Sequence, residues 1–158
     1  QNPGYQFERN NKKTLFLQHT IVGTNTTEFT IKLFEPFKID KLSDIYLESF
    51  ITYHGGTKPG NSITESAYVF SINEFKINSN SANSSTFNKL IIPNELNEAA
   101  KEDTRTIHKS KKLNFICSIN PSTLTTISGS VTGLDGGTPM FTASKDAFFM
   151  ELIIIARD

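Results

Sequence analysis

Apolar residues recur along most of this chain in short bursts with a period of two, each bounded by Gly, Asn, Ser or Pro. Strands with one buried and one wet face give that pattern. Nine strands are predicted. Thr14 to Val22 places Leu15 and Leu17 on one face, with His19 next in line, and Phe16 on the other. Phe29 to Phe34 sets Phe29, Ile31 and Leu33 against Thr30, Lys32 and Phe34. In Ile45 to Tyr53, the positions Ile45, Leu47, Ser49 and Ile51 alternate with Tyr46, Glu48, Phe50 and Thr52, up to a His54-Gly55-Gly56 turn. Ala67 to Ile77 reads as one long strand. Phe87 to Ile92 reads as a short one stopped by Pro93, which has no N–H to donate to a ladder. Thr104 to Ser110, Leu113 to Ile119, Leu124 to Val131 and Ala147 to Ala156 complete the set.

Between the strands the breakers are local. Thr57 to Asn61 contains Pro59-Gly60 and reads as a loop. Asn78 to Thr86 is the most polar stretch and is expected to be a mobile surface loop, because it has little apolar surface to bury. Asn94 is placed to cap one or two helical turns over residues 95–102, the only segment rich in helix formers and one with acidic residues in its first turn. Gly133 to Pro139 reads as a glycine-rich turn.

Strands in this number, about a dozen residues apart and without helical interludes, predict an all-β protein rather than a parallel α/β sheet. The chain has 158 residues, of which 47 are Asn, Ser or Thr, types that favour turns and half-buried strands over helices. One domain accounts for that length. The predicted fold is a single jelly-roll β-sandwich of eight to nine antiparallel strands with at most one short helix, since a jelly roll takes eight strands. An immunoglobulin-like sandwich is disfavoured by length and by the missing Trp. Residues 1–13 are assigned to an N-terminal arm and 14–158 to the jelly-roll domain.

Charge narrows the partners. Sixteen basic and sixteen acidic side chains give zero formal charge, which argues against binding duplex nucleic acid through phosphate neutralisation. Basic runs at Arg9 to Lys13 and Arg105 to Lys112 read as solvated faces or hairpin tips, with contact to an acidic partner or packaged nucleic acid as the minor reading. No apolar run approaches the roughly 20 residues of a membrane span, the longest being Leu152 to Ala156.

Candidate chemistry is sparse. His19, His54 and His108 are the only bases that titrate near neutral pH, and none lies in a local catalytic signature. Cys117, the one cysteine, sits in an apolar strand and reads as a buried inert thiol. Asp40, Asp44 and Asp135 raise the thought of a calcium ion, but too few carboxylates cluster and Asp135-Gly136 is itself a turn signal. Gly133 to Gly137 lacks the lysine and following helix of a phosphate loop. Asn25-Thr26-Thr27 and Asn83-Ser84-Ser85 match the glycosylation acceptor pattern by chance, as expected in so Asn/Ser/Thr-rich a chain. The phenylalanines fall mainly at strand positions where core packing is their expected role. No residue is assigned a catalytic, cofactor-binding or metal-binding role, and no cofactor is expected.

Several segments in order carry a likeness. They are Tyr68 to Asn78, the Ser/Asn loop after it, Ile91 to Glu95, Asn114 to Pro121, Ile127 to Leu134 and Phe148 to Asp158. In this order they resemble small single jelly-roll capsid proteins of large icosahedral double-stranded DNA viruses, above all penton proteins. The likeness spans roughly residues 65 to 158, and Ser128-Gly129-Ser130-Val131-Thr132-Gly133-Leu134 and the closing Arg157-Asp158 are its most specific parts. It implies a structural virion protein without catalytic activity that forms a homopentamer at the fivefold vertex and contacts major capsid proteins. It also implies that the N-terminal arm reaches neighbours or the capsid interior. Alternatives are a minor capsid protein elsewhere in the shell, or a non-viral jelly-roll module binding carbohydrate or a receptor. A cupin-like enzyme would need several histidines converging on a metal.

Overall fold

The computed structural model describes residues 12–54, 63–95 and 106–157. Its eight strands are β1 (Lys12–Thr20), β2 (Glu28–Ile39), β3 (Ser43–Tyr53), β4 (Ala67–Ile72), β5 (Leu90–Pro93), β6 (Ile107–Ile119), β7 (Ser122–Thr132) and β8 (Ala147–Ala156). A 3-10 turn at Ile63–Ser66 is the only helical element among the described residues.

Two four-stranded antiparallel sheets form, in the orders β1-β8-β3-β6 and β2-β7-β4-β5. The first strand pairs with the eighth, the second with the seventh, the third with the sixth and the fourth with the fifth. That nested pairing, wound so that successive partners fall in opposite sheets, is the jelly roll. β1 lies against β2 along one long side of the sandwich and β5 against β6 along the other.

The core is what the alternation predicts in most places. Leu15 and Leu17 of β1, Phe29 and Ile31 of β2, and Phe148, Met150, Leu152 and Ile154 of β8 are all buried between the sheets. Phe148 is its aromatic hub, with ring centroids 5.3 Å from Phe70, 5.5 Å from Phe29, 5.7 Å from Phe141, 5.8 Å from His19 and 6.1 Å from Phe50.

Five strand expectations change. In β3, Leu47 pairs with Leu152 and Ser49 with Glu151, so Glu48 is an extra residue in a β-bulge. The bulge reverses the alternation: Phe50 is 0% exposed and Thr52 1%, whereas Ile51 is 37% exposed. The two strands expected at 104–110 and 113–119 are one, β6. Its register with β3 jumps from Lys109 to Asn114 while β3 advances from Ser49 to Leu47, so β3 bridges the irregularity. β4 ends at Ile72, because the Glu74 carboxylate takes the Ser128 N–H at 2.7 Å and the Ser128 hydroxyl at 2.9 Å and turns the chain away. Phe75 and Ile77 nevertheless stay buried beyond the strand. β5 is shortened from its start by Asn88, whose φ of 56° is not extended backbone. β2 runs on to Ile39 across an irregularity between Lys32 and Phe37.

The segment expected to be a mobile surface loop has its own bonding. Ser79 N–H donates to Asn88 Oδ1 at 2.9 Å, Asn83 N–H to Ser81 Oγ at 3.1 Å, and Ser81 and Thr86 join their hydroxyls. Ser85 Oγ donates to Leu134 O at 2.9 Å, which ties this segment to the Gly133 turn. The polar residues that could not form a core satisfy the backbone instead. Of the proposed arm, residues 1–11 lie outside the described residues, and Lys12 and Lys13 belong to β1, paired with Ile155 and Ile154. The expected helix lies outside them from Leu96 onward. Asn94 Oδ1 accepts the Thr106 hydroxyl at 2.6 Å.

Candidate functional site: the outer faces and long sides of the sandwich

The two outer faces differ in chemistry. Across the first sheet the register lines up Gln18, Phe149, Ile51 and Ile107 in one row and Thr14, Ile153, Tyr46 and Phe115 in another. Phe16 stacks on Phe149 at 5.6 Å, and Tyr46 meets Phe115 edge-on at 5.8 Å. These rings are at the surface: Phe16 is 56% and Phe115 57% exposed. Between the two rows runs a mixed one of Phe16, Glu151 and Ser49, in which Ser49 Oγ donates to Glu151 Oε1 at 3.3 Å. On the second sheet the corresponding rows are Glu28, Ser130 and Ser71, then Thr30 and Ser128, then Lys32 and Thr126. One face offers rings and branched aliphatics, the other hydroxyls and charges. Clustered exposed apolar side chains of the first kind mark contact surfaces more often than isolated ones do.

The long sides differ too. On the β5–β6 side a groove of about 390 Å³ opens between the sheets, lined by Leu47, Ile77, Leu90, Ile91, Phe115 and Ile116 together with polar Asn78, Ser79 and Asn114, and with Lys89 as its one charged lining residue among the described residues. On the β1–β2 side Phe34 lies within the β2 irregularity and is fully in solvent, at 100% exposure. Pro36 follows within the same irregularity, so this edge is poorly suited to adding a further strand.

The end of the first sheet is locked by charge. Arg157 Nη2 donates to Asp44 Oδ1 at 2.7 Å and to Ser118 Oγ at 2.9 Å, its Nε reaches both Asp44 oxygens at 3.1 Å, and Ser118 Oγ donates to Asp44 Oδ1 at 2.7 Å. The residues following β8 are thereby joined to β3 and β6. The Arg157 guanidinium holds the Asp44 carboxyl below its ordinary range, against an opposing push from partial burial. A carboxylate whose folded pKa is depressed stabilises the fold fully above the ordinary range and loses that contribution as pH falls through the lowered value. Asp44→Asn is therefore expected to lower stability at neutral pH and to flatten the further loss on acidification, as read from urea unfolding midpoints between neutral pH and the acid limb.

The sequence candidates for chemistry are scattered. His19 packs against Phe29 and Phe148, and burial pushes its pKa down. His54 follows β3 and touches the Tyr53 ring at 4.1 Å. His108 Nδ1 lies 3.2 Å from Glu95 Oε1, while its Nε2 is buried with no hydrogen-bond partner among the described residues. A base and an orienting carboxylate meet there, but no nucleophile is engaged with them among the described residues. Cys117 is buried, and burial raises its thiol to about 11, which fits an unreactive side chain.

Asp135 spends its oxygens on its own turn, accepting Gly137 N–H at 3.0 Å, Thr138 N–H at 2.8 Å and the Thr138 hydroxyl. Asp40 lies 3.7 Å from Lys38 Nζ. No group of three or more His, Cys, Asp or Glu side chains is placed to hold a metal among the described residues. Nor is any helix among them long and apolar enough to cross a membrane. Of the basic runs, Arg9 and Arg105 lie outside the described residues. The alternation in β2 sets the Phe34 knob opposite buried Phe29 and Ile31, whereas the β5–β6 groove was missed from sequence, because it forms between the two sheets.

No protein-family model matches this chain, and no curated protein is similar to it.

Proposed function

We propose that this chain is a structural shell protein, a single jelly-roll penton whose five copies close a ring at the vertex of a large icosahedral double-stranded DNA virus and meet major capsid proteins around it. The reading rests on the likeness in residues 65 to 158, and the observation that carries it furthest is the asymmetry of the sandwich. Opposite outer faces and opposite long sides are chemically different. Rings need heterologous contacts, in which one side of a subunit meets a different side of the next. In this reading the rings on the first sheet meet neighbouring shell proteins, and the protein carries no catalytic activity and resides in the virion.

Native mass spectrometry of the purified protein, together with a panel of glycans, tests the reading. A dominant five-copy species without bound sugar is expected. A monomer at every concentration, or a monomer carrying a bound sugar, favours a binding module and contradicts the proposal.

A further inference from the structure

We infer that the lateral contact between copies of this chain seats Phe34 of one subunit in the β5–β6 groove of the next; this rests on the ring reading above. The knob and the groove occupy opposite edges of the same sheet, since its order is β2-β7-β4-β5. A translation of one subunit past the next, combined with a rotation, therefore brings one against the other, and repetition of that step closes a ring when the rotation divides the circle.

Among the described phenylalanines Phe34 alone is fully exposed, and burying such a ring is worth roughly 2 kcal/mol in transfer free energy alone. The groove supplies a partly matching surface: the exposed Ile91 and Phe115 side chains over buried Leu90 and Ile116, with Asn78, Ser79 and Asn114 completing its lining. Charge agrees with shape. Exposed Glu35 adjoins the knob, and Lys89 is the one charged residue lining the groove among the described residues. Lys32, also exposed on β2, pairs in register with Thr126 just before the break. The break in β2 pairing and Pro36 make this stretch of the edge poorly suited to a backbone ladder with a neighbour, which favours side-chain insertion.

The test mixes two single variants, Phe34→Cys and Ile91→Cys, under mild oxidation. Buried Cys117 does not compete. A head-to-tail contact gives a disulfide between the two variants and none within either alone, because Cα atoms must come within roughly 7 Å to be bridged. A Phe34–Phe34 or Ile91–Ile91 disulfide as the dominant product overturns the inference in favour of a twofold contact. In parallel, Phe34→Asp should raise the concentration for half-assembly at least tenfold with the melting temperature unchanged, since the ring makes no buried contact within its own subunit. Rings that persist in Phe34→Asp, with no mixed disulfide, overturn this contact and leave the ring reading standing. Absence of any multimer from the unmodified protein overturns both.

Discussion

Gly129→Ala is expected to destabilise the fold by about 3 kcal/mol or more, lowering the melting temperature on the order of 10 °C. Gly129 lies in β7 between β2 and β4, paired with Phe29 on one side and Ile72 on the other. A Cβ at this position would stand 1.8 Å from Ser71 O, 2.9 Å from Ser71 C and 3.1 Å from Ile72 Cα. All three atoms are backbone, so no flexible side chain can yield. β4 would have to withdraw from β7. That movement also strains the Asn73 N–H to Ser128 O bond at 2.9 Å and the paired bonds from Ser128 to Glu74. Gly137→Ala is the control, because nothing lies within 4 Å of its added methyl group. It should change stability by no more than about 0.5 kcal/mol. Thermal unfolding of the two variants side by side checks the argument. A Gly129→Ala protein that melts with Gly137→Ala would show that the two strands are not in this close approach.

Phe148→Ala is expected to cost about 3–5 kcal/mol, the range for emptying a large aromatic site in a packed core. The side chain is 2% exposed and meets five other rings, drawn from β1, β2, β3, β4 and the segment before β8. Its removal leaves a void bordered by both sheets, and no single neighbour can collapse into it without leaving another contact. Urea unfolding should show a lower midpoint with an unchanged slope, since the area exposed on unfolding hardly changes. Phe16→Ala makes the contrast. That ring stacks only on Phe149 at the surface, so its loss should fall well short of the core variant. Equal losses from the two variants would contradict the assignment of Phe148 as the hub.

Period-two alternation was a sound guide wherever strands pair in unbroken register. β8 was readable from end to end, because Phe148, Met150, Leu152 and Ile154 all face inward without interruption. β3 was readable only as far as Leu47, since one inserted residue, Glu48, reverses which positions are buried and no apolar pattern announces it. The division expected in β6 came from Lys111 and Lys112, whose polarity reads as a turn; β3 pairs on both sides of them, a tertiary fact. Phe75 and Ile77 kept the pattern of a strand while lying beyond one, because burial can be met by a loop crossing the core. The candidate contact surfaces were least readable of all. The alternation sets Phe34 outward, but the β5–β6 groove is assembled from β3, β5, β6 and the segment after β4, which only the winding brings together.

Cryo-electron microscopy of the assembled protein tests the central claim most directly. The account predicts a closed fivefold ring in which the β1–β2 side of every subunit faces the β5–β6 side of its neighbour. Particles with twofold symmetry, joining like side to like, would contradict it.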